Sequence, residues 1–296
     1  MSRIIFFTGK GGVGKSTLSS LTAINLANSG RNTLLVSLDP AHNLQDIFEM
    51  KFSGKAKNIK DKLSVIQIDI KKQNEQYLQN TLEKIERIYQ YQTAFSIKNY
   101  FKVLKHAPGL EEYALLQSFT QIVNKYQTIE YLIFDMPPTA LSLRFFSLPA
   151  NSLIWINELS KLRKAILKKK EIISKIKFGK KEIETDKVNN QLSSLNKEHA
   201  AMLSLLKSEN TKINIVLNPE QLSVNEAQSI KEQLNDLDLS VFKFIINKHT
   251  GNIDTQKLFD NSLQIPANNR ALIGIDELQK FIHKKQLRAT LNQCIK

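Results

Sequence analysis

Gly9-Lys10-Gly11-Gly12-Val13-Gly14-Lys15-Ser16 follows a short apolar run, Ile4-Ile5-Phe6-Phe7, and precedes a segment in which Leu18, Leu21, Ile24 and Leu26 recur near helical spacing up to Gly30. The octapeptide fits G-x-x-x-x-G-K-[ST] in the strand–loop–helix setting that the pattern requires. Glycines let successive backbone N–H groups turn inward on a phosphate, and the following helix points its positive end at the same anion. Lys15 is expected to reach the β- and γ-phosphates of a nucleotide, and Ser16 to offer its hydroxyl to Mg²⁺. Gly9, Lys10, Gly11, Gly12, Val13, Gly14, Lys15, Ser16 and Thr17 are the candidate nucleotide-binding residues of this segment.

Outward from the loop, apolar runs alternate with helical patterns. Ile4–Phe7 reads as a buried strand, because it lacks the polar alternation of a half-exposed one, Thr33–Leu38 and Val65–Ile70 read as a second and a third, and Tyr131–Phe134, Ile213–Leu217 and Phe242–Ile246 read as further strands. Residues 71–130 read mostly as helix, with Tyr77, Leu78, Leu82, Ile85 and Ile88 on one face and Pro108-Gly109 as an interruption. Leu159, Leu162 and Ile166 open an amphipathic stretch, and Leu192, Leu195, His199, Met202 and Leu206 continue one, which predicts an antiparallel helix pair. Ile275–Ile282 closes the pattern as a helix. Strands alternating with helices predict an α/β class: a mostly parallel sheet with helices on both faces. The segments at about 71–130 and 152–207 are too long for crossovers, so a helical subdomain made from two insertions is expected within one domain spanning 1–296. Trp155, Ile156, Leu159 and Leu162 are read as the core of that helix pair, with a groove lining as the alternative.

The 296 residues include 42% hydrophobic and 24% charged side chains, which excludes disordered and collagen-like classes. The N-terminal apolar stretch is too short for a secretory signal, and no run reaches the length of a membrane-spanning helix, so a cytoplasmic protein is expected. The net charge is +14, and half of it falls between Lys161 and Lys187, where eleven basic residues face four acidic ones. Such an arm can meet nucleic acid, lipid head groups or an acidic partner, or simply face solvent.

Several motifs together resemble one family. A second lysine within the loop, Lys10 in KGGVGKST, is similar to the deviant phosphate loop of dimeric ATPases related to MinD, ParA, nitrogenase iron protein and the arsenite-pump ATPases. Asp39-Pro40-Ala41-His42-Asn43-Leu44 follows the second strand and closely resembles the first switch of the ArsA family, which includes arsenite-pump ATPases and the targeting ATPase for tail-anchored membrane proteins. A carboxylate at a strand's C-terminal end lies on the ligand side of an open α/β sheet, where Asp39 is placed to orient the attacking water or to bind the metal's water shell. Asp135-Met136-Pro137-Pro138-Thr139-Ala140-Leu141-Ser142-Leu143-Arg144 resembles the family's DTAPTGHTLR, but Ala140 and Leu141 replace its Gly and His. Pro108-Gly109-Leu110-Glu111-Glu112 looks like its PG-x-x-E segment, and Pro266 to Leu278 its final loop and helix around the base.

The resemblance implies a homodimeric, Mg²⁺-dependent ATPase in which Lys10 reaches the partner's nucleotide, Asp135 holds the metal through water with Ser16 direct, and Glu220, Asn247 and Pro266 touch nucleotide. It further implies that the helical insertions bind a protein client or membrane-protein partner. A partitioning or positioning ATPase of the ParA/MinD kind, acting on DNA or membrane through the basic arm, is the alternative. An arsenite-transporting subunit is a weaker one, since As(III) is a soft thiophile and only Cys294 is present. The eukaryotic targeting ATPases carry a zinc-holding CxxC pair that this chain lacks. Purified protein is therefore expected to contain no stoichiometric zinc, and a clear zinc signal by elemental analysis contradicts the reading.

Overall fold

Four apolar residues in a row leave a strand without a polar side, and both sides of Ile4–Phe7 are buried. The computed structural model describes residues 2–41, 43–88, 107, 109–178, 187–250 and 259–296. His42, Pro108, residues 89–106 of the first expected insertion and residues 179–186 of the basic run lie outside the described residues. The strands are β1 (Arg3–Thr8), β2 (Thr33–Ser37), β3 (Lys57–Lys60), β4 (Leu63–Gln67), β5 (Tyr131–Asp135), β6 (Thr211–Leu217), β7 (Val241–His249) and β8 (Ser262–Pro266). The helices are α1 (Lys15–Asn28), α2 (Asn43–Phe48), α3 (Ile70–Ile88), α4 (Leu110–Lys125), α5 (Thr139–Phe178), α6 (Lys187–Leu206), α7 (Gln221–Asp236), α8 (Ile275–Lys284) and α9 (Arg288–Gln293).

Among the described residues one sheet runs β3-β4-β2-β5-β1-β6-β7-β8, parallel throughout except for β3 on β4. Side chains alternate across it. Ile4 and Phe6 join Phe134 and Ile215 on one face, under α4, α7 and the start of α5, while Ile5 and Phe7 join Ile133 and Val216 on the other, under α1, α8 and α9. The first face is built on aromatic rings. Phe6 lies 5.3 Å from Phe134, 5.5 Å from Phe119 and 5.2 Å from Phe146, and Phe119 meets Phe145 edge-on at 5.6 Å. The C-terminal residues Phe281, Leu287, Leu291, Cys294 and Ile295 are core of the second face, which pushes the Cys294 thiol up to about 12. Gly30, at φ 76°, stops α1 as expected, its N–H donating to Ala27 O at 2.9 Å.

The structure corrects four expectations. The strand read as Val65–Ile70 ends at Gln67, and Ile70 opens α3 instead: Asp69 caps that helix, its carboxylate accepting the Lys72 N–H at 3.2 Å. Two edge strands escaped the sequence reading, β3 because KNIK is polar and β8 because SLQIP buries only alternate residues. The helix expected near Leu159 begins at Thr139 and contains Pro149. Trp155, Leu159 and Leu162 are not core, being 71%, 45% and 57% exposed, and of that set only Ile156 is buried. Phe145 and Phe146 seat the beginning of α5 in the core, and after Ile156 the residues Leu159, Leu162 and Ile166 are exposed.

The expected face of α6 does turn inward. Met202 and Leu206 are buried, and the His199 ring stands edge-on to Tyr113, which itself stacks on Tyr77 at 5.9 Å. Burial lowers the His199 pKa. The Tyr113 hydroxyl meets Ser152 Oγ at 3.2 Å, and Asn196 Nδ2 donates to Asn157 Oδ1 at 2.9 Å, so α3, α4, α5 and α6 are linked in sequence.

Phe6→Ala is expected to lower unfolding free energy by about 3–5 kcal/mol, and Trp155→Ala to change it by less than about 0.5 kcal/mol, in urea titrations. Equal losses at the two positions contradict the burial pattern.

Candidate active site

The C-terminal ends of β1, β2 and β5 meet because Phe7 and Ser37 are each in register with Asp135. The Gly9–Ser16 loop leaves β1 there and enters α1. Two of its glycines are required by space as well as by dihedral angle. Gly9 lies at φ 141° with Val216 O only 2.2 Å from where a Cβ would stand, and Gly14 at φ 95° has Asn247 Nδ2 at 2.3 Å. That amide donates to Val13 O at 2.7 Å, so the end of β7 braces the loop. Lys248, at φ 56°, adds a contact from its ammonium to Gly12 O at 3.3 Å.

Lys15 is buried, and its ammonium donates to Gly9 O at 3.1 Å and Lys10 O at 3.0 Å. Burial lowers its pKa, opposed by the charges of Asp135, Asp39 and Glu226. Beside it, Asp39 accepts the Ala41 N–H at 2.9 Å and the Asn43 amide at 3.5 Å, and Asn43 Nδ2 also reaches Ser16 Oγ at 3.4 Å. Gln67 Nε2 donates to the Asp39 carbonyl at 3.1 Å, tying the first switch to β4.

Asp135 is fully buried. Ser37 Oγ donates to its Oδ2 at 3.3 Å, while Oδ1 has no hydrogen-bond partner among the described residues. Burial pushes the carboxyl up to about 7. Asp39 adds to the rise, and the Ser16 hydroxyl, Lys15 and Ser37 oppose it. A buried oxygen with a free lone pair, next to a second carboxylate and a serine hydroxyl, is a hard-donor set that suits a Mg²⁺ ion and its bound water. Among the described residues no three His, Cys, Asp or Glu side chains cluster as a metal group, so any ion here would need water or phosphate to complete its shell.

Of the residues singled out in the sequence, Lys15, Ser16, Asp39 and Asp135 come together. Asn247 lies against the loop, Thr17 is half-buried in the first turn of α1, Glu220 is the exposed N-cap of α7, and Pro266 ends β8. Ser37, Asn43, Gln67, Lys248 and Glu226 were missed. Asn43 carried a signal, its place within DPAHNL; Glu226 carried none, being one polar residue on a polar helix. Two quoted motifs also meet: Arg144 pairs with the buried Glu112 at 2.7 Å.

The Asp135 carboxyl fixes a pH dependence. Its folded-state pKa lies above the unfolded value, so the folded protein holds the extra proton between about pH 4 and 7 and loses stability as pH rises through that window. Asp135→Asn is expected to be more stable than wild type at pH 8 by about 1–4 kcal/mol, with the difference shrinking towards pH 4 in thermal melts. A pH-independent difference contradicts the assignment.

The model of the anion-transporting ATPase family matches residues 2–285. An "ATPase ASNA1 homolog 2" of Paramecium tetraurelia is 31% identical over 258 residues, 82% of this chain and 75% of its own. A protein of Aquifex aeolicus provisionally named an arsenical pump-driving ATPase is 28% identical over 247 residues, covering 83% of this chain and 80% of the relative. "ATPase GET3C" of Arabidopsis thaliana is 28% identical over 256 residues, 81% of this chain and 65% of its own. With the match running over nearly the whole chain and the phosphate loop seated at the ends of parallel strands, the protein belongs to the ArsA family of ATPases and is an ATP hydrolase.

Proposed function

We propose that this ATPase works as a homodimeric, Mg²⁺-dependent switch whose helical segments take and release a client. The observation that carries the reading is the Asp135 carboxylate, buried with an unpartnered oxygen beside Ser16, Asp39 and Lys15. On this reading Ser16 holds Mg²⁺ directly and Asp135 holds it through water. Bound there, the ion supplies charge neutralisation for the β- and γ-phosphate oxygens. Lys15 leaves the carbonyls of Gly9 and Lys10 for the phosphates, which the loop N–H groups also contact. Asp39 orients the attacking water, with Asn43 and the Ala41 N–H fixing its carboxylate. Lys10 supplies its cation to the nucleotide of a second copy, so that hydrolysis depends on assembly. Glu220 follows β6, Asn247 lies near the end of β7 and Pro266 ends β8, three adjoining strands, which supports a base- and ribose-binding edge there.

The expected helical subdomain, from about 71–130 and 152–207, is the client-binding part in this reading. Support comes from α5, where Trp155, Leu159, Leu162 and Ile166 repeat at helical spacing and all lie exposed. An apolar stripe of that kind fits a hydrophobic segment of a membrane protein, and the likeness to proteins named ATPase ASNA1 homolog and ATPase GET3C supports a client-binding reading. Lys161, Lys164, Lys168 and Lys169 follow on the same helix and are exposed. Among the described residues no helix is long and apolar enough to cross a membrane.

Lys15→Ala is expected to abolish ATP binding in calorimetry. Asp39→Asn should bind ATP and hydrolyse it at least about tenfold more slowly, and Lys10→Ala should show a loss of similar size together with weaker ATP-dependent dimerisation. Undiminished turnover in Lys10→Ala, or a strictly monomeric ATP-bound protein in sedimentation, overturns the dimeric switch.

A further inference from the structure

Glu226 lies on α7, away from the Gly9–Ser16 loop in sequence, yet its two carboxylate oxygens serve two different parts of the site. One is 3.8 Å from the Lys10 ammonium. The other accepts the Thr139 hydroxyl at 2.5 Å. Thr139 is the first residue of α5 and stands only four positions after Asp135, across Pro137 and Pro138. Two prolines with φ held near their ring value leave that connection little freedom. The helix start is thus anchored on one side to the nucleotide end of β5 and on the other to Glu226.

We propose that Glu226 is the positioning residue that links the position of Lys10 in the phosphate loop to the position of helix α5. The proposal rests on the switch reading above, in which Lys10 leaves its own chain for a nucleotide. While Lys10 stays with Glu226, the carboxylate is balanced and holds Thr139. Once Lys10 is drawn towards phosphate, Glu226 loses that ion pair, and the bond to Thr139 is made or broken on new terms. The pair is about one-third exposed on both sides, at 39% and 30%, so it is weak enough to be exchanged in each cycle.

A second carboxylate makes the device directional. Glu112, 7% exposed, holds Arg144 at 2.7 Å, a little more than one turn further along α5. Phe145 and Phe146 are packed into the aromatic cluster on the same turn. That turn serves as the pivot, and Glu226 as the latch on the short arm before it. The long arm carries the exposed apolar stripe, with Trp155 about 24 Å beyond Thr139 along the axis. A small shift at Thr139 is therefore read out where a client would sit.

The chain contains a single tryptophan, Trp155, which makes the test direct. The Mg²⁺ complex of the ATP analogue AMP-PNP is titrated into the full chain, with Trp155 emission and calorimetric affinity recorded side by side. Wild type is expected to show an emission change on binding. Glu226→Gln and Thr139→Val should each lose about half or more of that change while their affinities stay within about threefold, because an exposed ion pair contributes little to binding. Thr139→Ser, which keeps the hydroxyl, should restore the wild-type response. A full response in both Glu226→Gln and Thr139→Val, or no response in wild type that binds the analogue, overturns the link. Failure of wild type to bind the analogue at all strikes the nucleotide reading instead, and calorimetry separates the two results.

Discussion

A carboxylate buried beneath parallel strands is tolerated only where cations and hydroxyls offset the loss of water, and Asp135 is held in that balance. It has Lys15 and two serine hydroxyls in its favour, and burial and Asp39 against it. Register sets this up: Phe7, Asp135 and Ser37 stand level on three adjacent strands, so the phosphate loop, the second switch and the first switch all begin at one height. Everything chemical in the protein follows from where those three chains leave the sheet. A divalent cation with its phosphate ligands would complete the balance, which is why stability at this site and loading of the site are aspects of the same electrostatics.

The loop itself is shaped by crowding more than by charge. Gly9 presses against the backbone of β6, and Gly14 against the Asn247 amide of β7, so the loop conformation is imposed by strands distant in sequence. Asn247 has a structural duty, its bond to Val13 O, that is independent of any contact with the base. A substitution there would alter the shape of the loop whatever else the side chain touches.

Helix α5 has two different environments along its length. Its first turns are packed on the sheet by Phe145 and Phe146 and pinned by Arg144 to Glu112, whereas Trp155, Leu159, Leu162 and Ile166 further along are exposed. One continuous helix thus runs from the segment after β5 to an exposed apolar stripe. Such a lever needs no flexible joint; it needs only that its fixed turn lie close to the moving end.

Local pattern determined the larger part of the site. Gly9 to Ser16 between a strand and a helix, Asp39 after the second strand and Asp135 at the end of the fifth were all legible, because a phosphate loop and its carboxylates depend on spacing within short segments and on ends of apolar runs. Gly30 and the α6 face were legible for the same reason, and the aromatic residues at 145 and 146 were not, since their packing on Phe6 joins positions far apart in the chain. Only the tertiary structure placed Asn43 between Asp39 and Ser16, set Glu226 between Lys10 and Thr139, and turned Trp155 and Leu162 outward. Periodicity shows that a helix has an apolar stripe but not whether anything covers it, and a polar residue on a polar helix is silent until the fold brings another segment's charge within reach.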